Sequence, residues 1–86
     1  QISKVVVKAN QTIFKEGDQD SHLYILEKGR IEIFTENDEK QKVHVTFIDE
    51  GESFGEFALL DRQPRSASAR AVVDSVVIRI SEQGYE

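Results

Sequence analysis

The residues best equipped for chemistry lie between Phe54 and Ala71, in the stretch FGEFALLDRQPRSASARA. Gly55 and Glu56 stand ahead of a short run of helix formers. Backbone N–H groups at such a helix start have no intrahelical acceptor, and with the positive end of the helix dipole they can bind an anion. Glu56 falls in that first turn, where a carboxylate is electrostatically favoured and can accept hydrogen bonds from hydroxyl groups. Arg65 follows the only proline of the chain, Pro64, whose ring fixes the approach of the backbone. Its guanidinium suits a two-pronged grip on phosphate. Ser66 adds a hydroxyl donor, and Ala67, Ala69 and Ala71 keep one strand face small, which gives a ligand clearance close to the backbone. Amides and a guanidinium for an anion, with one carboxylate for hydroxyls, make a set that a ribose with its phosphate would satisfy.

Each of these residues also has a plainer reading. Arg65 can be a structural arginine paired with a neighbour such as Glu56. Gly55 can serve only a turn, and the alternating alanines can be strand packing beneath a helix. Phe57 either covers the edge of a pocket or fills surface.

The elements that must position this stretch are short strands. Val5–Val7 and Thr12–Phe14 come first, the latter closing at Glu16-Gly17-Asp18. LYILEKGRIEIF, Leu23 to Phe34, is the strongest strand signal, interrupted at Gly29 by a turn or bulge. The polar TENDEK segment reads as the turn of a hairpin joining Arg30–Thr35 to Lys42–Ile48. Alternation there places Ile31 and Ile33 on one face against Arg30, Glu32 and Phe34, and Val43, Val45 and Phe47 on one face against His44, Thr46 and Ile48. Ala67–Val73 and Ser75–Ile80 complete the pattern, with Leu23, Ile25, Ile31, Ile33 and Phe47 as the expected core. Strands at this spacing predict an all-β sandwich or barrel. Helix is expected only over GEFALL and from Ser81, an N-cap followed by Glu82 and Gln83 and cut short at Glu86.

The 86 residues predict one domain, 1–86, with a thin core. Net charge −5 argues against direct nucleic-acid contact, which calls for a basic face. The absence of cysteine excludes a disulfide framework and a thiolate metal site. With no basic-then-apolar leader and no long apolar run, a cytoplasmic protein without a membrane span is expected. His22 and His44, widely separated and with no third histidine, predict no metal site. No serine sits in a nucleophile elbow, so a non-enzyme without cofactor is expected.

The opening stretch resembles the phosphate-binding cassette of the cyclic nucleotide-binding domain family, whose pattern runs F-G-E-x-A-L, a short spacer, then P-R-x-A. Here it reads Phe54-Gly55-Glu56-Phe57-Ala58-Leu59, Leu60 to Gln63, and Pro64-Arg65-Ser66-Ala67. IFKEGD (Ile13 to Asp18), LYILEKGRIEIF and DEGESFGE (Asp49 to Glu56) resemble the family's preceding segments, in order, so the likeness runs from about Ile13 to Ile80.

The resemblance implies an all-β fold with short helices: an antiparallel, jelly-roll-like β-roll with helices at both ends, here largely absent. It implies that Glu56 accepts the ribose 2′-hydroxyl and that Arg65 pairs with the cyclic phosphate. Backbone groups near Gly55, Ala58 and Ala67 complete the contacts, and Ser66 offers its hydroxyl and N–H. Ile33 and Val45 would lie near the purine. The implied ligand is cAMP, favoured over cGMP because a serine follows the arginine where threonine tends to accompany cGMP preference. The implied role is a regulatory sensor signalling to an attached effector domain or partner subunit, with oligomers possible through the absent helices. The alternative is a scaffold or interaction module that keeps the roll and needs no nucleotide.

Overall fold

The computed structural model describes residues 2–20, 22–55 and 64–81. Among them are eight strands: β1 Ile2–Val7, β2 Thr12–Phe14, β3 Leu23–Lys28, β4 Ile31–Glu36, β5 Lys42–Ile48, β6 Ser53–Phe54, β7 Ser68–Ala71 and β8 Ser75–Ile80. They form two four-stranded antiparallel sheets, ordered β1-β8-β3-β6 and β2-β7-β4-β5. The expected all-β roll is present. The helix expected over GEFALL and the helical turn after Ser81 lie outside the described residues.

Strand period decides which side chains meet between the sheets, since alternate residues point to opposite faces. Val7, Phe14, Tyr24, Leu26, Ile31, Phe54, Ala69, Ala71 and Val77 are the buried hydrophobic core, with Val5, Ile13, Ile33 and Ile48 packed against it. Ile31 and Ile33 are therefore inward, as alternation predicts. Leu23 and Ile25, expected in the core, are not: on β3 the inward positions belong to Tyr24 and Leu26, and both are only half-buried on the opposite face. Gly29 makes the tight reversal from β3 to β4 at φ 103°, a conformation that carries little penalty only without a Cβ.

Phe47 is also displaced from its expected place. It pairs with Glu32 across β4–β5, on the outer face of the sheet, and stays 37% exposed. The simple alternation of β5 fails because the register shifts between Ile33 and Phe34, leaving Val45 without a Cα partner. That bulge puts His44 opposite Phe34, on the side of Phe47 rather than that of Ile48.

Glu32 organises this outer face. Only 3% exposed, it accepts hydrogen bonds from Arg70 Nη2 (2.7 Å), Lys42 Nζ (2.9 Å) and His44 Nδ1 (2.9 Å), tying β4 to strands on both sides. The hydrogen bonds from Arg70 and Lys42 outweigh burial and hold its carboxyl at about 2, well below the ordinary value. Arg30 stacks on Phe47 beside it, 3.9 Å from the ring centroid.

Candidate functional site

Arg65 sits where the loop entering β7 crosses the turn between β2 and β3. Its backbone is pinned on both sides, since Arg65 N donates to Asp18 O (2.9 Å) and Gly17 N donates to Arg65 O (2.7 Å). The turn itself is closed by Asp18, whose side chain accepts from Lys15 N at 2.9 Å. Ser68, the first residue of β7, accepts from Glu16 N at 2.9 Å and ties the same turn to that strand. The IFKEGD segment thus folds as a cradle for the Arg65 backbone.

The side chain is directed inward rather than toward solvent, and the residue is 4% exposed. Nη1 donates to Gly55 O at 2.8 Å and Nη2 donates to His22 O at 2.7 Å. Asp20 Oδ1 lies 3.3 Å from Nη2. The flat face of the guanidinium covers the Phe14 ring, with Cζ 4.0 Å from its centroid, and the Tyr24 centroid is 5.6 Å away. Nε is buried and has no hydrogen-bond partner among the described residues. A buried cation has therefore been given acceptors for two of its three nitrogens, while the third keeps an unused donor. An unmet donor of this kind is costly in a protein interior, and an incoming anionic oxygen would relieve it.

Gly55 is required at its position for two reasons. Its φ is +85°, and a Cβ there would stand 2.5 Å from Arg65 Nη1. The glycine turns the chain and also lets the guanidinium reach the backbone carbonyl.

Asp20 is itself held in place. Its Oδ1 accepts from His22 N at 3.0 Å and lies 2.7 Å from His22 Nδ1, and its Oδ2 accepts from the Tyr24 hydroxyl at 3.0 Å. Burial acts to raise the carboxyl pKa, but the His22 hydrogen bonds, the Arg65 charge and the Tyr24 hydroxyl together bring it below the ordinary value. Burial and the Asp20 charge push the Tyr24 phenol up to about 12. The ring of Tyr24 stacks on Phe54 at 5.2 Å and meets Phe14 at 5.7 Å, so an aromatic floor lies beneath the charged group.

The structure brings together Gly55 and Arg65 from the expected site, with Ser66 exposed and Ala67 half-buried next in the chain. Glu56 and Ala58 lie outside the described residues. Ile33 belongs to the same sheet row as the floor of the site: Phe14 pairs with Ala69 and Ala69 with Ile33. Val45 sits at the β5 bulge, 55% exposed. Ala69 and Ala71 are core residues at 0% exposure, so their small size makes room for packing partners such as Phe14 rather than for a ligand. Among the described residues Arg65 is paired with Asp20; a pair with Glu56 lies outside them.

Sequence reasoning missed Phe14, Asp20, Tyr24 and the His22 carbonyl. IFKEGD carried a visible turn signal, but nothing in it announced a partnership with an arginine some fifty residues on. A backbone carbonyl has no signature in sequence.

The cyclic nucleotide-binding domain profile matches residues 4–86. The chain belongs to the cyclic nucleotide-binding domain family. It is 40% identical over 78 residues to the cAMP-dependent protein kinase regulatory subunit of Emericella nidulans, covering 91% of this chain and 18% of that protein. It is 36% identical over 73 residues to the cyclic AMP receptor protein of Thermus thermophilus, covering 85% of this chain and 34% of that one. Among solved structures it is similar to the cAMP-bound form of the EAL enzyme Bd1971, with 43% identity and a TM-score of 0.89 over 95% of this chain and 22% of that one. The chain thus spans about a third or less of the length of these relatives. In this cyclic nucleotide-binding domain the backbone of Arg65 is held by the turn at Gly17 and Asp18. No helix among the described residues is long and apolar enough to cross a membrane.

Proposed function

We propose that this domain binds a cyclic nucleotide, cAMP in preference to cGMP, as a non-catalytic regulatory module. Arg65 engages the cyclic phosphate, and Ser66 with the amides around Gly55, Ala58 and Ala67 completes the grip. Glu56 takes the ribose 2′-hydroxyl, and the inner sheet surface toward Ile33 and Val45 faces the purine. The preference for cAMP rests on Ser66 standing directly after the arginine. Occupancy is passed to an effector segment or partner subunit in a cytoplasmic protein longer than this chain. No cofactor or metal enters the reading.

The observation that carries it is the buried Nε of Arg65 beside Gly55, which has no hydrogen-bond partner among the described residues. A purely structural arginine would be expected to have its donors satisfied. Calorimetric titration of the chain with cAMP and cGMP tests the reading. Saturable binding of both nucleotides, tighter for cAMP and lost in Arg65→Ala, is expected. No heat and no thermal shift with either nucleotide at millimolar concentration would overturn it.

A second reading, the nucleotide-independent scaffold, is favoured by one observation: Nη1 and Nη2 of Arg65 are already engaged by the protein's own carbonyls and by Asp20. Under that reading Arg65→Ala changes stability and nothing else.

A further inference from the structure

We infer that Phe14 is a positioning residue for anion recognition: its ring is the platform that fixes the plane of the Arg65 guanidinium and so aims the free Nε–H. The proposal rests on the cyclic-nucleotide reading of the site and adds a residue to it that lies outside the cassette.

A guanidinium is a flat group on a chain of side-chain torsions, and hydrogen bonds along one edge leave its plane free to tilt. Nη1 to Gly55 O and Nη2 to His22 O anchor one edge of the plane. Rotation about the line joining those two anchors remains, and it would swing Nε up or down. Contact of one face with the Phe14 ring, at 4.0 Å from Cζ to the centroid, removes that rotation. The same contact offers the negative face of the ring to a cation with little access to water, which is where a cation–π contact is strongest. Tyr24, at 5.6 Å, is too far from Cζ to do this alone, and its hydroxyl is committed to Asp20.

The strand geometry explains why Phe14 can serve. It ends β2, where the register against β7 shifts between Thr12 and Phe14, and it pairs with Ala69, a fully buried methyl. Phe54 is an internal comparison: it is about as buried and lies 6.2 Å from the Phe14 ring, but the guanidinium stacks over Phe14 and Tyr24 and not over Phe54.

The test compares Phe14→Leu, Phe14→Tyr and Phe54→Leu. Phe14→Leu keeps an apolar, space-filling side chain and removes the π face, while Phe14→Tyr restores it. In calorimetry with cAMP, Phe14→Leu is expected to bind roughly five- to tenfold more weakly. Phe14→Tyr and Phe54→Leu should stay within about twofold of wild type, although Phe54→Leu lowers Tm as much as Phe14→Leu does. Equal affinity loss in the two leucine variants would overturn the platform role, as would failure of Phe14→Tyr to recover binding.

A second measurement needs no ligand. In the 1H–15N spectrum of the free protein, the Arg65 Nε–H resonance should be slow to exchange and shifted by the ring current of Phe14. It should move toward the ordinary arginine position in Phe14→Leu but not in Phe54→Leu. An Arg65 Nε–H at the ordinary position in wild type contradicts the platform even if cAMP binds. Conversely, a ring-shifted resonance in a protein that binds no nucleotide leaves the platform standing and removes the cyclic-nucleotide reading.

Discussion

Arg65 and Glu32 are both withdrawn almost completely from solvent, one as a cation over the aromatic floor, the other as an anion on the outer face of the β2-β7-β4-β5 sheet. Glu32 has three partners of complementary character, Arg70, Lys42 and His44, and both of its oxygens are engaged. Arg65 has two carbonyls, one carboxylate shared with Tyr24 and His22, an aromatic face, and one donor left over. Burying a charge is tolerable when it is paired and hydrogen-bonded. Glu32 meets that condition in full and joins three strands. Among the described residues Arg65 meets it in part, with Nε left over. Under the proposed function that donor is where the ligand binds, which would separate a charge that holds the fold from one held for use.

The largest effect that could break this contrast comes from Arg65→Ala. A charged, desolvated hydrogen-bonding group is worth about 1.5–3 kcal/mol, so a loss of roughly 10- to 100-fold in cAMP affinity is expected. Melting temperature should fall as well, because the Gly55 and His22 carbonyls and Asp20 lose a buried partner, so the contrast lies in the loss of binding beyond what the loss of stability explains. Affinity by calorimetry and Tm by scanning calorimetry measure the two halves separately.

Glu32→Ala should do the reverse. Lys42 and Arg70 lose a buried counter-charge, and a stability loss of about 2–3 kcal/mol is expected, equivalent to roughly 10–20 °C in Tm for a domain this small. Affinity for cAMP should stay within about twofold. The same carboxylate sets an acid limit. Its folded pKa of about 2 lies below the unfolded value of 4.5, so its contribution is complete above pH 4.5 and is lost as the pH falls toward 2. Urea unfolding of wild type and Glu32→Gln at pH 7, 4 and 2.5 should therefore show their difference shrinking down that series, from about 1–3 kcal/mol.

Gly55→Ala sharpens the comparison from the side of the site. A side chain at φ +85° is strained, and the added Cβ displaces Arg65 Nη1 from the Gly55 carbonyl. A stability loss of about 1–2 kcal/mol is expected, together with an affinity loss that no equally destabilising change at Val6 would give. The smallest effect appears only in alkali. Tyr24 has its pKa raised from 10.0 to about 12, so the folded state retains that proton when the unfolded chain has lost it. Stability from this residue is complete below pH 10 and declines between pH 10 and 12. Absorbance titration should show a phenol ionising well above pH 10, and Tyr24→Phe should abolish that late step.

Much of this was legible in the sequence, and for definite reasons. Ile31, Ile33 and the pair of strands broken at Gly29 followed from period-two alternation and the glycine turn, both local properties. Gly55 and Arg65 were marked by residue type and spacing. Leu23, Ile25 and Phe47 were misjudged because alternation gives two faces without saying which is inward; Tyr24 and Leu26 took the core side of β3, and Glu32 drew Phe47 outward. The bulge at Val45 left no trace in a sequence that alternates smoothly through it. The partners of Arg65 were out of reach for another reason: Phe14, Asp20 and Tyr24 meet it only through the β2–β7 pairing and the crossing of two loops. The buried Glu32 cluster was hidden in the same way, since each member reads alone as an ordinary surface charge.

The most direct test of the central claim is a paired calorimetric titration of Arg65→Ala and Glu32→Ala with cAMP, each alongside its own thermal unfolding. The account predicts that Arg65→Ala loses binding far out of proportion to its loss of stability, while Glu32→Ala loses stability and keeps binding. If Arg65→Ala binds cAMP as wild type does, or if both variants lose affinity in proportion to their loss of Tm, Arg65 is a structural charge like Glu32 and the proposed site is wrong.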